Sequence, residues 1–279
     1  GDDIGGVPDK IPSSGIVFVA SAGDFSLLTP STLQTLFAAG GSVRDGDVHI
    51  SPDRASLVWS TGSAVQLAAV DGGARRTLNQ NIDGAPLVRS PRFAPDGSSV
   101  VFAAGLAGGA GFSRSSMYRV PLDADTAVPD KITAYAATCT VFRDLAVRGP
   151  SRIIVVRDGC ADSSDGGLHE VLTSTGTATP LLRGVPELPA QIVATAISAD
   201  RGTVYAWAYG SFDTNGDVTA DVEATGIYAF DLSSGELTTY EPEIDGVVTS
   251  IAARADGVVL GVQRENGDQD LVAVSLGGD

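Results

Sequence analysis

Apolar residues along the chain come in short, nearly continuous runs of Val, Ile, Leu, Ala and Phe, five or six residues long: 56–60, 99–103, 152–156, 203–208 and 258–263. Such runs are too short for buried helices and too apolar for strands with one wet face, so they predict strands covered on both sides. A tight turn precedes each: Ser51-Pro52-Asp53-Arg54, Ala94-Pro95-Asp96-Gly97, Ser198-Ala199-Asp200-Arg201-Gly202 and Arg254-Ala255-Asp256-Gly257, with Arg148 to Ser151 as a degenerate copy. Pro or Ala suits a φ near −65°, Asp can accept from a nearby backbone N–H, and Gly or Arg closes the turn. A second strand follows (65–70, 117–122, 168–173, 227–232, 271–275), then a polar edge strand such as 74–78 or 236–240.

This unit recurs with a period of ~40–50 residues, the spacing of propeller blades. Four full units, with three strands at each end of the chain, predict an all-β, six-bladed β-propeller of four-stranded antiparallel blades, with five or seven blades as alternatives. Residues 13–279 are read as a single propeller domain and residues 1–12 as an extension that completes the last blade. The segment 31–39 fits a helix by the spacing of Leu33, Leu36 and Phe37 and a strand by Thr32 and Thr35. The Asp turn, the apolar strand after it and a strand ending in Asp-x-x-x-Gly together resemble the repeat of TolB-like propellers, from about Arg44 to Ser275. That resemblance implies the fold and leaves function open, because similar propellers serve as interaction modules, peptidase lids and enzyme bodies.

Charge narrows the partners. A net charge of −16, with Lys10 and Lys131 as the lysines, disfavours nucleic acid and anionic membranes and favours cations or a basic protein or peptide. No run reaches the ~18 apolar residues of a transmembrane helix. The chain begins at Gly1 without Met, which reads as removal of a targeting segment, with lipid anchoring as one form of it. Cys139 and Cys160 lie symmetrically about the 148–151 turn, which predicts a cross-strand disulfide and hence an extracytoplasmic location, periplasmic or secreted.

The candidate chemistry is sparse. Asp213, Asn215 and Asp217, with Asp221 beyond, alternate oxygen ligands as a calcium loop does, yet Gly216 falls inside the triplet, and an Asx-turn loop without metal is the alternative. Asp158, Asp162 and Asp165, then Asp268 and Asp270, occupy equivalent loops and predict an acidic face. His49 and His169 lack metal or base spacing, no Gly-x-Ser-x-Gly elbow is present, Gly105 to Gly111 reads as a flexible loop, and Trp59 and Trp207 read as packing. No catalytic residue is assigned. The expected role is a monomeric, non-catalytic, protein- or peptide-binding scaffold of the cell envelope. A polysaccharide- or peptide-active lyase or hydrolase and a calcium-stabilised adhesive domain are the alternatives.

Overall fold

The computed structural model describes residues 8–19, 23–40, 43, 48–80, 82, 87–108, 111–123, 128–133, 141–158, 166–184, 190–215, 217 and 220–276. Among the described residues the regular secondary structure is entirely strand, arranged as antiparallel hairpins. The chain contacts divide into two compact units, residues 1–112 with 116–132, and residues 113–115 with 133–279.

The first unit holds three meanders. They are β1 (Ile16–Val19), β2 (Asp24–Leu28) and β3 (Leu33–Ala38); β4 (Val48–Ile50), β5 (Ser56–Ser60), β6 (Val65–Ala69) and β7 (Arg76–Thr77); and β8 (Leu87–Phe93), β9 (Ser99–Gly108), β10 (Gly111–Pro121) and β11 (Asp130–Thr133). The second holds β12 (Val141–Gly149), β13 (Arg152–Asp158), β14 (Gly167–Leu172) and β15 (Ala178–Gly184); β16 (Ala190–Ile197), β17 (Thr203–Asp213), β18 (Val222–Asp231) and β19 (Leu237–Tyr240); and β20 (Val247–Arg254), β21 (Gly257–Gln263) and β22 (Gln269–Ser275). A short bridge, Arg183 opposite Asp213 and Gly184 opposite Phe212, joins the first two of these.

The apolar runs sit where both faces are covered. Ile153, Ile154, Val155 and Val156 are buried in succession, as are Leu57, Val58 and Trp59. Within each unit the meanders stack through their first strands: β4 lies against β8, β12 against β16 and β16 against β20. Stacking of this kind supplies the second covering layer that a two-sided apolar strand requires. The all-β meanders are those of a propeller-type fold.

Several sequence expectations change. The 31–39 segment is strand β3, paired with β2, because Phe37 and Leu36 are needed against Phe25 and Trp59. Within the Gly105–Gly111 stretch, expected as a loop, β9 runs to Gly108 and β10 starts at Gly111. The turn expected over 148–151 narrows to Pro150 and Ser151, since Gly149 already pairs with Arg152. Bulges at 143 and 148 offset the pairs near the turn, and the open end of the hairpin pairs Val141 with Asp158, the register expected from symmetry about residues 148–151. Residues 1–7 of the N-terminal extension lie outside the described residues; residues 8–12 form no strand, and Ile11 is buried beside Leu27 and Leu57 in the first unit.

Candidate functional site

The Asp turns are built alike, at one end of the meanders. Ser51 Oγ donates to Asp53 Oδ1 at 2.6 Å, and the N–H of Ala55 donates to the same oxygen at 3.1 Å. The N–H of Ser56 returns to Ser51 Oγ at 2.9 Å. Ser198, Asp200, Gly202 and Thr203 repeat the pattern with Ser198 Oγ to Asp200 Oδ1 at 2.5 Å, and Asp96 takes the N–H and hydroxyl of Ser98. These donors favour the ionised form and hold Asp53, Asp96 and Asp200 below the usual carboxylate range, with the serine hydroxyls of Ser51 and Ser198 and the Ser98 N–H as the leading causes. Arg254 does the same for Asp256.

Gly257 after Asp256 already pairs with Arg254; in the other three turns the residue after Asp adopts a left-handed backbone, with φ of 64° at Arg54, 73° at Gly97 and 61° at Arg201. Glycine does so freely, whereas a side chain pays about 1 kcal/mol. The two arginines use their side chains across the gap to an earlier segment. Arg54 Nε donates to the Ile11 carbonyl at 2.7 Å, and its Nη2 reaches the carbonyls of Pro12 and, at 3.3 Å, Gly15. Arg201 Nη1 reaches the Val147 carbonyl on β12. Partial burial lowers the pKa of both guanidiniums without discharging them at neutral pH.

The first strands carry bulges at matching places, between Arg89 and Arg92, Phe142 and Asp144, Ile192 and Ala194, and Val248 and Ser250. One of them places a buried carboxylate between neighbouring sheets. Asp144 Oδ1 accepts from the N–H of Leu145 at 2.8 Å, while Oδ2 accepts from the N–H and hydroxyl of Thr195 on β16 at 2.8 and 3.1 Å. This group spends its oxygens on structure. So does His49, whose Nδ1 accepts from the N–H of Phe93 at 3.1 Å, joining β4 to β8. His169 is buried on β14. Trp59 packs edge-on to Phe25, with ring centroids 5.1 Å apart, and Trp207 lies among Ile227, Val248 and Leu260, both as expected.

At the opposite end of the second unit lie the loops expected to be acidic. In the β17–β18 loop Asp213 is buried at the strand end, and its Oδ1 accepts from the N–H of Asn215 at 2.9 Å. Asn215 Oδ1 accepts from the N–H of Asp217, while Asp221 Oδ2 accepts from the N–H and hydroxyl of Thr214. Asn215 Nδ2 donates to Asp221 Oδ1 at 3.1 Å, so the amide presents hydrogens, not a lone pair, to that carboxylate. Among the described residues no three His, Cys, Asp or Glu side chains are grouped as a metal centre requires.

In the β21–β22 loop Arg264 Nε bonds Asp270 at 2.6 Å and its Nη1 lies 3.0 Å from Asp245, contacts that hold the guanidinium above its ordinary value. Asp268 exchanges hydrogen bonds with Asn266. Among the described residues this end exposes Asp217, Asp221, Glu223, Asp245, Glu265, Asp268 and Asp270, beside the arginines 157, 183 and 264. Asp162, Asp165, Cys139 and Cys160 lie outside the described residues; Asp158 is described only as the end of β13. The arginine latches, the Asp144 bridge and the Glu170 ion pairs described below went unread in the sequence. One signal was available: Arg standing where the repeat elsewhere has Gly.

No family model and no curated protein matches the chain. Solved structures do. A chain of a nidogen/laminin complex superposes with a TM-score of 0.65 at 8% identity, covering 94% of this chain and 89% of its own length. A TolB candidate from Agrobacterium tumefaciens gives 0.55 at 12% identity, over 84% and 74%. A puromycin-hydrolysing peptidase of Mycobacterium tuberculosis gives 0.61 at 15% identity over 94% of this chain, which spans 40% of the peptidase. At these identities the likeness is one of fold, and the fold this chain shares with TolB and with other propellers is of the propeller type.

Proposed function

We propose that the chain is a non-catalytic, extracytoplasmic propeller scaffold that binds a basic protein or peptide partner through the loop end of its second unit. The observation that carries this reading is the contrast between the two kinds of polar group. Buried Asp144 and half-buried His49 serve the packing of strands, whereas seven carboxylates at the loop end are exposed on a chain of net charge −16. Exposed like charges on rigid meanders steer a cationic partner and fix its orientation more than they raise raw affinity. The extracytoplasmic placement rests on the cysteine pair expected from the sequence. A mass 2 Da below the fully reduced value, measured without reductant, supports it.

The test is capture of partners from an envelope extract by the wild-type protein and by the triple variant Asp217→Lys, Asp268→Lys, Asp270→Lys. The expected result is a basic partner retained by the wild type, released by salt near 0.5 M, where screening is short-ranged, and not retained by the variant. Recovery of no partner, together with turnover of a polysaccharide or peptide that is lost on changing a first-strand residue, would refute the scaffold and favour an enzyme.

A further inference from the structure

On so acidic a chain an anion is held only where cations are gathered and fixed, and one such place lies in the second unit where β12 turns into β13. Arg148 Nη1 donates to Glu170 Oε1 at 2.6 Å, and Arg152 Nη1 contacts Oε2 of the same carboxylate. Glu170 sits on β14 opposite Ile154, its side chain only 13% exposed, while Arg148 is 27% and Arg152 52% exposed. Both oxygens of Glu170 are therefore taken. Each guanidinium has committed one of its five N–H groups, so most of their donors remain for a ligand. The Val147 carbonyl, one residue before Arg148, is pinned in turn by Arg201.

With Gly149, Ser151 and Leu232 the two arginines line an open cavity of about 470 Å³. Asp231, next to Leu232 in sequence, and Asp200, next to Arg201, stay ionised, with oxygens that accept from Ser233 and Ser234 and from Ser198 and Gly202. The two guanidiniums exceed the Glu170 carboxylate they share by one positive charge, and the ionised aspartates nearby weigh against a dianionic phosphate more than against a monoanion. The fork geometry of guanidinium suits a carboxylate, and Leu232 offers an apolar wall for the carbons behind it.

We propose that this cavity binds a peptide carboxylate, an acidic side chain or a C-terminus, with Arg148 and Arg152 as its donors. The site is independent of the partner taken at the loop end, since it lies at the opposite end of the second unit's strands and prefers the opposite charge. The test follows the arginine Nε–H resonances of ¹⁵N-labelled protein during titration with N-acetyl-Leu-Leu-Glu-amide, its Gln counterpart and inorganic phosphate. The Glu peptide is expected to shift the Arg148 and Arg152 signals saturably. The Gln peptide and phosphate should bind more weakly, and Arg152→Gln, at a half-exposed position, should melt with the wild type yet bind the Glu peptide about tenfold less tightly. Absence of a saturable shift, equal binding of the Gln peptide or phosphate, or unchanged affinity in Arg152→Gln would overturn the assignment.

Discussion

Replacing Arg54 by Ala and by Gly separates two opposed contributions at the left-handed corner. The side chain places one hydrogen bond of 2.7 Å on the Ile11 carbonyl and further contacts on Pro12 and Gly15. Hydrogen bonds to charged groups contribute about 1.5–3 kcal/mol when shielded, and the solvent contact here sets the group near 2 kcal/mol. Against this, a φ of 64° costs a residue with Cβ about 1 kcal/mol. Arg54→Ala loses the latch and keeps the strain, so it should destabilise by about 2 kcal/mol; Arg54→Gly loses the latch but sheds the strain, for about 1 kcal/mol. The usual order of Ala and Gly is thereby reversed. At about 2–4 °C per kcal/mol for a chain of this size, thermal melting should place the Gly variant a few degrees above the Ala variant and both below the wild type. Gly97 supplies the control. A Cβ there meets nothing nearer than Pro52 Cδ at 3.9 Å, so Gly97→Ala should cost about 1 kcal/mol through φ alone. Amide exchange at Ile11, whose N–H donates to the Arg54 carbonyl at 2.9 Å, should accelerate in both Arg54 variants. An Ala variant as stable as the Gly variant would refute the reasoning.

Asp144→Ala should cost about 3 kcal/mol in urea unfolding, because it strands the buried N–H groups of Leu145 and Thr195; Asp144→Asn, which keeps one acceptor, should cost less, and equal costs would contradict this account. The depressed pKa values of Asp53, Asp96, Asp200, Asp231 and Asp256 set the acid response. A carboxylate whose folded pKa lies below its unfolded value stabilises above the unfolded value, so stability should be level above about pH 5 and fall as pH drops through 4 and below. A melting midpoint that rises on acidification through this window would contradict the turn geometry. Chelator should leave the melting midpoint unchanged, since the 213–221 loop closes on its own hydrogen bonds; a fall of several degrees, restored by calcium, would show that those oxygens hold a cation.

The sequence by itself determined the meanders. Short two-sided apolar runs such as 152–156, each preceded by an Asp turn, state a strand's length, its burial and the direction reversal before it, all of which are local properties. The same locality explains why Trp59 and Trp207 were legible as packing. What lay beyond local pattern was decided by the tertiary structure. Whether 31–39 is helix or strand depended on Phe25 and Trp59 waiting to be covered, and the pairs near the turn of the β12–β13 hairpin are offset by two bulges that leave no mark in composition. The arginines at 54 and 201 looked like ordinary turn residues, and Glu170 like a polar strand position. Their roles arise from partners 18 to 54 residues away, brought together by strand pairing and by the packing of one segment on another. A charged side chain gains its meaning from what it meets, and meetings at that range are set by the fold.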